Sequence, residues 1–473
     1  MRLSDVDSFG GIDADADALL DECFQDHSAY LDAFSHRKHL ILGRKGSGKT
    51  AIYRKIIRTH DPSVFAFGHT FSDYPWHHHQ LQALVGVPEE LRYTHSWLYL
   101  ILLTLAKVLL NHDASQPWDE TALDALDRLE KFVVDSYGSR DPDLTQLFTP
   151  TKRLRIRPHF KLAKEWIDFG LDLERLPVSD LPRVVTEVNQ KVTEAVLASL
   201  NPKHKYFICF DELDRGFDPT ARTYTDMLIG LVLAAKLLNE RARDSERQFS
   251  VVIFLRDDIY EVLRFEDKNK VTEALASVIA WDLPGEEWTL RRLMERRFIK
   301  VLGEGTDVAW SEVFDEDHQM PGRQTKYRHI LDRTFNRPRD IIKFCNEVLK
   351  RYRARSGDGK FENRDVLEAR SAYSDYLLRE LGDEAHKHWP QYQECLEVLR
   401  AVGTAVFSHE ELTKACVKRP GLLPDGIAPI EALRRLFDFS VVAYQKAGGA
   451  GGGSAYVWRY LDQRARFDES ATY

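Results

Sequence analysis

Eight residues, Gly43-Arg44-Lys45-Gly46-Ser47-Gly48-Lys49-Thr50, constrain this chain more than any other feature. They satisfy GxxxxGK[ST] at every fixed position, a pattern that requires a strand before it and a helix after it. His39-Leu40-Ile41-Leu42 is a short apolar run ending on the first glycine, and AIYRKIIRTH has the apolar spacing of a helix. The glycines let backbone N–H groups turn inward around phosphates, and the helix N-terminus adds its positive end. Gly43, Arg44, Lys45, Gly46, Ser47 and Gly48 are therefore expected to form a cradle. Lys49 is expected to reach the β and γ phosphates and the Thr50 hydroxyl to ligate Mg²⁺, so ATP and Mg²⁺ are the expected substrate and cofactor.

Such a loop needs a second carboxylate-bearing strand. Phe207-Ile208-Cys209-Phe210-Asp211-Glu212 is an apolar run closing on two acids. It predicts a strand that delivers Asp211 beside Thr50 to order the metal, with Glu212 polarising the attacking water. Asp214 and Arg215 follow and read either as caps of the next turn or as site residues. Phe254-Leu255-Arg256-Asp257 ends another apolar run, which makes Arg256 either a γ-phosphate sensor or one half of a surface ion pair. Asn336-Arg337-Pro338-Arg339-Asp340 opens a helix, so Arg337 and Arg339 project from its first turn. They read either as phosphate contacts, a guanidinium matching that geometry, or as a solvated basic face.

The apolar runs at 39–42, 64–67, 206–210 and 249–255 alternate with helical patterns, MLIGLVLAAKLLNERAR among them. A parallel sheet with helices on both faces is expected. Residues 71–200 interrupt it with helical text and one basic alternating piece, Lys152 to Arg157, and read as an insertion. The domains predicted are an α/β core over 1–285, a helical lid over 286–382 and a winged helix over 383–473, the last from three helical patterns and two strands around AGGAGGGSA. His77-His78-His79 lacks a carboxylate or cysteine at ligand spacing and is not read as a metal site. Lys152 to Arg157 reads either as a nucleic-acid track or as a solvent- or partner-facing hairpin.

Charge is uneven. Residues 1–39 carry nine acidic groups against three basic, and residues 321–355 carry eleven basic against three acidic. Each tract calls for a partner, a ligand or an opposite surface. Over the whole chain 74 acidic side chains outnumber 66 basic ones, which argues against a general attraction to nucleic acid or an anionic membrane. With 43% hydrophobic residues the chain has ample material for a core and reads as soluble and globular. Five dispersed cysteines form no CxxC pair, which fits a reducing cytosol, and neither a signal peptide nor a transmembrane helix is read.

GRKGSGKT together with FICFDELDR resembles the bacterial P-loop ATPases on the AAA+ and STAND side, and is similar in particular to KAP-type ATPases, whose second motif is an acidic pair followed by Leu-Asp-Arg. The acidic start FGGIDADAD, the RPRD segment and the ending RARFD resemble a group of prokaryotic P-loop ATPases of this length. KAP proteins commonly carry transmembrane helices in the insertion, and none is read here. The resemblance implies an oligomer or a complex with an effector protein, an arginine such as Arg215 near a neighbour's nucleotide, and a role in defence against phage.

The expected function is an ATPase switch: Asp211 orders the metal, Glu212 activates water, Arg256 and Arg339 report the γ-phosphate, and Arg337 assists binding. Hydrolysis or exchange then moves the helical lid and winged helix. The alternative is a DNA-binding initiator or loader using the winged helix. Its recognition-helix candidate, PIEALRRLFDF, offers only Arg434 and Arg435 to phosphates, so nucleic acid is not favoured. A nucleotide-binding scaffold that never hydrolyses is a third class, against which Glu212 speaks.

Overall fold

The computed structural model describes residues 2–70, 93–142, 181–215, 222–283, 285, 287–303, 308–386, 388–423, 426–446, 455–462 and 465–473, the side chains of 181–185 and 455 excepted. Trp76, His77 to His79 and Lys152 to Arg157 lie outside the described residues. The chain divides into two compact units, Leu20–Ala280, and Met1–Leu19 with Trp281–Tyr473.

In the first unit, five strands form one parallel sheet in the order β2-β3-β4-β1-β5. They are β1 (Leu40–Leu42), β2 (Val64–Thr70), β3 (Lys205–Asp211), β4 (Phe249–Leu255) and β5 (Ala276–Val278). The expected α/β class and parallel sheet are thus found. β5, only Ala-Ser-Val, is too short to register as an apolar run. β3 and β4 are buried along almost their whole length, as strands covered on both faces must be.

The side-chain period of two assigns each face its helices. Tyr206, Ile208, Phe210, Val251, Ile253 and Leu255 join one cluster with α4 (Thr94–Asn111), α5 (Glu120–Tyr137), α6 (Leu181–Ser199) and α7 (Arg222–Asp244). The alternate residues face the other way: Phe207 stacks on Phe34 of α2 (Ser28–Phe34), and Phe254 meets Tyr53 of α3 (Lys49–Ile57) edge-on. A short α1 (Leu20–Cys23) precedes α2, and α8 (Asp257–Val262) and α9 (Lys268–Leu275) follow β4.

The described helices of the 71–200 segment therefore belong to the core of this unit. α4 is the one helix among the described residues long and apolar enough to cross a membrane, and most of it is buried. Trp97 is fully buried on α4, donates its indole N–H to the Met227 carbonyl at 2.9 Å and lies edge-on to Phe210. Farther along, Tyr206 donates to Asp113 at 2.5 Å, and Asn201 donates to Ser115 at 3.1 Å. These bonds hold the loop after α4 against the start of β3.

The second unit contains α10 (Leu290–Leu302), α11 (Trp310–Val313), α12 (Lys326–Leu331), α13 (Pro338–Ala354) and α14 (Asn363–Ala385). Phe298, Trp310, Phe314, Tyr352 and Phe361 form its aromatic centre. Next come α15 (Tyr392–Val402), α16 (His409–Lys418), α17 (Pro429–Asp438) and an antiparallel pair, β6 (Tyr444–Lys446) and β7 (Ala455–Val457). The chain end closes this module: Tyr473 and Phe407 exchange two backbone hydrogen bonds, and Gln445 donates to Thr472. All five cysteines are free thiols, four of them buried.

Residues 1–19, expected within the 1–285 core, pack instead with the helical unit. The reason is electrostatic and apolar together. Asp17 forms a buried ion pair with Arg297, and Phe9 enters the aromatic centre against Phe298 and Phe361. Part of the basic tract also finds acids within its own unit, as Arg355 with Asp365 and Arg353 with Asp7.

Replacing Trp97 with Ala removes a fully buried indole shared by α4, α7 and β3. We expect a loss of about 3–5 kcal/mol. Urea denaturation followed by circular dichroism measures it, and an unchanged midpoint would contradict the core role of α4.

Candidate phosphate and metal site

Parallel strands put all their C-terminal ends on one edge, which is where α/β sheets bind ligands. Leu42 pairs with Leu255 in register, and Phe210 of β3 pairs with Ile253 of β4. β4 thus lies between the strand that feeds the glycine-rich turn and the strand that ends in Asp211. Gly43, Asp211 and Arg256 leave that edge from three adjacent strands.

The turn from Gly43 to Gly48 runs directly into α3, which starts at Lys49. Gly46 and Gly48 have φ of 80° and 110°, a region that other residues enter at a cost. Gly48 is the N-cap of α3 and has no side chain to bond the first-turn N–H groups. Arg44, Lys45 and Gly46 are half-buried and Ser47 is buried. Lys49 bends back over the turn and donates its Nζ to the carbonyls of Gly43 at 2.7 Å and Arg44 at 3.0 Å. Desolvation holds its pKa below the ordinary lysine value, while Asp214, Asp257 and Asp211 pull it upward.

Asp211 is 2% exposed and hydrogen-bonds with the Thr50 side chain and the Glu212 backbone N–H. Its Oδ2 is buried and has no hydrogen-bond partner among the described residues. Burial pushes the carboxyl up to about 6, against the opposing pull of the Glu212 N–H, the Thr50 hydroxyl and Lys49. A buried oxygen without a donor beside a threonine hydroxyl is a hard-ligand pair that fits a dication such as Mg²⁺. Ionisation of this carboxyl is less favourable than that of an exposed aspartate, and a bound cation would favour it. Among the described residues no group of three or more His, Cys, Asp or Glu forms a separate metal cluster.

Glu212 adopts φ 57°, a left-handed conformation uncommon outside glycine, and pairs its Oε1 with Arg215 Nη2 at 2.9 Å. The strand ends at Asp211, immediately before it. Arg256, 2% exposed, caps α8; its Nε and Nη2 donate to Asp258 at 3.0 and 2.5 Å, and its Nη1 meets Asp214 at 3.4 Å. Of the two readings of Arg256, the ion pair is present, though its guanidinium is buried and the partner carboxylates are half-buried. Its charge lowers the pKa of Lys49, so the two cations belong to one electrostatic group with Asp214.

Lys49, Thr50, Asp211, Glu212, Asp214 and Arg256 therefore gather at one sheet edge. Asp258, which orients Arg256, was not singled out by sequence reasoning; the acid pair directly after Arg256 was the available signal. Arg337 and Arg339 belong to the other unit. Arg337 is 2% exposed and bonds Asp340 at 2.7 Å and Glu384 at 3.2 Å. Arg339 bonds Glu380 at 2.9 Å and the Ile12 carbonyl at 3.0 Å. Neither is a solvated basic face, since both serve carboxylates of their own unit.

Residues 289–382 match the model of the FunZ-associated C-terminal helical domain. The match spans α10 to most of α14 and leaves out the glycine-rich turn. No curated protein matches the chain.

The raised pKa of Asp211 gives a pH dependence with a definite sign. The folded chain holds this proton more tightly than the unfolded chain, whose carboxyl titrates near the ordinary 3.8. The group therefore favours folding increasingly as pH falls through about 6 toward about 4, and disfavours it above. In metal-free buffer, the stability of wild type relative to Asp211→Asn should rise between about pH 7 and about pH 5. Parallel urea-denaturation profiles for the two proteins would refute the buried, ionisation-averse carboxyl.

Proposed function

We propose that the chain is a Mg²⁺-dependent ATPase that works as a molecular switch. The observation that carries this reading is the contact of the Thr50 hydroxyl with Asp211, whose buried Oδ2 lacks a hydrogen-bond donor, at the mouth of a glycine turn that opens α3. The strand order supports it, because β4 spaces the two motif strands and delivers Arg256 between them.

In this proposal the N–H groups from Gly46 to Thr50 bind the phosphate oxygens of ATP, and Lys49 exchanges its two loop carbonyls for the β and γ phosphates. Thr50 and Asp211 would hold a magnesium ion, whose positive charge would neutralise that of the phosphates. Glu212 orients water for attack on the γ-phosphate and holds its proton. Arg256 keeps Asp214 in place and, through it, the charge of Lys49. Such a network responds to the γ-phosphate without needing a free guanidinium.

The terminal module, three helices followed by a two-stranded hairpin, supports a winged-helix reading. Its helix α17 engages Arg434 with Glu469 and Arg435 with Glu431, so protein contact is favoured over DNA contact. Together with the resemblance of GRKGSGKT and FICFDELDR to STAND-side ATPases, the FunZ-associated segment supports a place in a prokaryotic defence assembly, and the five free cysteines support a reducing compartment such as the cytoplasm.

Glu212→Gln should retain ATP affinity and slow hydrolysis by about 10²-fold or more, since an amide fits the same space without accepting a proton. Lys49→Ala should abolish binding. Calorimetric titration of Mg-ATP and phosphate release under single-turnover conditions measure both. Wild-type turnover in Glu212→Gln would move the base elsewhere, and unchanged binding and turnover in Lys49→Ala would end the ATPase assignment.

A further inference from the structure

Residues 6–17 pack on the helical domain largely through their main chain. The segment contains no helix or strand, and side chains of the helical domain grip its main chain. Arg297 donates to the Phe9 carbonyl at 2.9 Å, Asn346 to the Gly10 carbonyl at 3.0 Å, Arg339 to the Ile12 carbonyl at 3.0 Å and Arg353 to the Val6 carbonyl at 3.3 Å. Asn346 also accepts from the Phe9 N–H at 2.8 Å, so its amide bonds both a main-chain donor and a main-chain acceptor of the segment.

Two side chains anchor the segment. Phe9 is fully buried, with its ring 4.9 Å from Phe298 and 6.2 Å from Phe361, both edge-on. Asp17 and Arg297 are each 3% exposed and form a two-pronged pair at 2.6 and 3.3 Å. Asp17 also accepts from the Gly11 N–H at 3.0 Å, which folds the segment back on itself. Between the anchors, Gly10 has φ 115°, and a Cβ there would lie 1.9 Å from Arg297 Nη1 and 2.7 Å from Asp17 Oδ1. Only glycine lets the guanidinium close over the chain.

An aromatic anchor, a bidentate arginine and main-chain bonds between them are how peptides are captured. We propose that the FunZ-associated helical domain is a peptide-binding module whose resident ligand is this chain's own Phe-Gly-Gly…Asp segment. The receptor face is Arg297, Phe298, Arg339, Asn346, Arg353 and Phe361. The chemistry recognised is an acidic peptide with phenylalanine followed by two glycines and an aspartate six positions beyond the second. This inference is independent of nucleotide hydrolysis.

The test uses the full chain carrying Gly10→Ala, which should expel the segment with no change of charge, and a fluorescent peptide of residues 2–19. The peptide should bind the Gly10→Ala chain at least tenfold more tightly than wild type, whose groove is filled. A peptide that itself carries Gly10→Ala should bind at least tenfold more weakly than its parent. Equal binding of both peptides, or no binding of the parent to a folded Gly10→Ala chain, overturns the proposal.

Should that variant not fold, hydrogen exchange on the wild-type chain decides. The Phe9 and Gly11 amides should exchange at least a hundredfold slower than in the free peptide, yet at least tenfold faster than the amides of α13, because a docked segment opens without global unfolding. Free-peptide rates would show that the segment is not docked. Rates equal to those of α13 would show an integral core element, and either result refutes a resident ligand.

Discussion

The site depends on one buried carboxylate. Asp211 is carried to the sheet edge by a strand that is apolar from Tyr206 to Phe210, so the charge arrives where desolvation raises its pKa against the pull of Thr50, Lys49 and the Glu212 N–H. Everything nearby follows from accommodating it. Lys49 folds back over its own loop, Glu212 turns into a left-handed conformation as the strand ends, and Arg256 is held by Asp214 and Asp258 one strand away. Removing one partner from such a group leaves the others buried and unbalanced, which is why these residues act as a unit.

The second unit solves a different electrostatic problem. Its basic helices would repel one another if left alone, and they are neutralised both by local acids and by the acidic opening segment of the chain. The Asp17–Arg297 pair is buried as deeply as the Arg337 pairs with Asp340 and Glu384. A buried pair is costly to break one partner at a time, so it fixes where the segment lies more than how stable the unit is. The family match begins at residue 289 and therefore leaves out a strand of polypeptide that the packed unit contains.

Much of this was legible because strong local signals have local causes. The parallel sheet was readable since strands buried on both faces must be continuously apolar, as Phe207 to Phe210 and Val251 to Leu255 are. β5 was not, because three residues of which one is serine carry no periodic signal; its position comes from pairing with β1. The helix at 94–111 was visible as apolar text, yet whether it formed a separate insertion or core depended on what its far side touched. Asp258 escaped notice for a similar reason, since its meaning lies in Arg256, and the direction of that side chain is decided by burial.

By itself, the sequence determined the glycine turn and the helix that follows, the carboxylate pair at the end of an apolar strand, and the alternation that makes an α/β sheet. These are written in spacing, and spacing is set by backbone geometry within a few residues. Only the tertiary structure decided that β4 lies between β1 and β3, that Asp258 and Asp214 hold Arg256, that Arg337 and Arg339 serve carboxylates of their own unit, and that residues 1–19 pack with the helical unit. Apart from the local Arg337–Asp340 and Arg256–Asp258 pairs, those outcomes join residues from 41 to more than three hundred positions apart, and they are selected by which charges and rings can be buried together, a property of the packed chain that no local window contains.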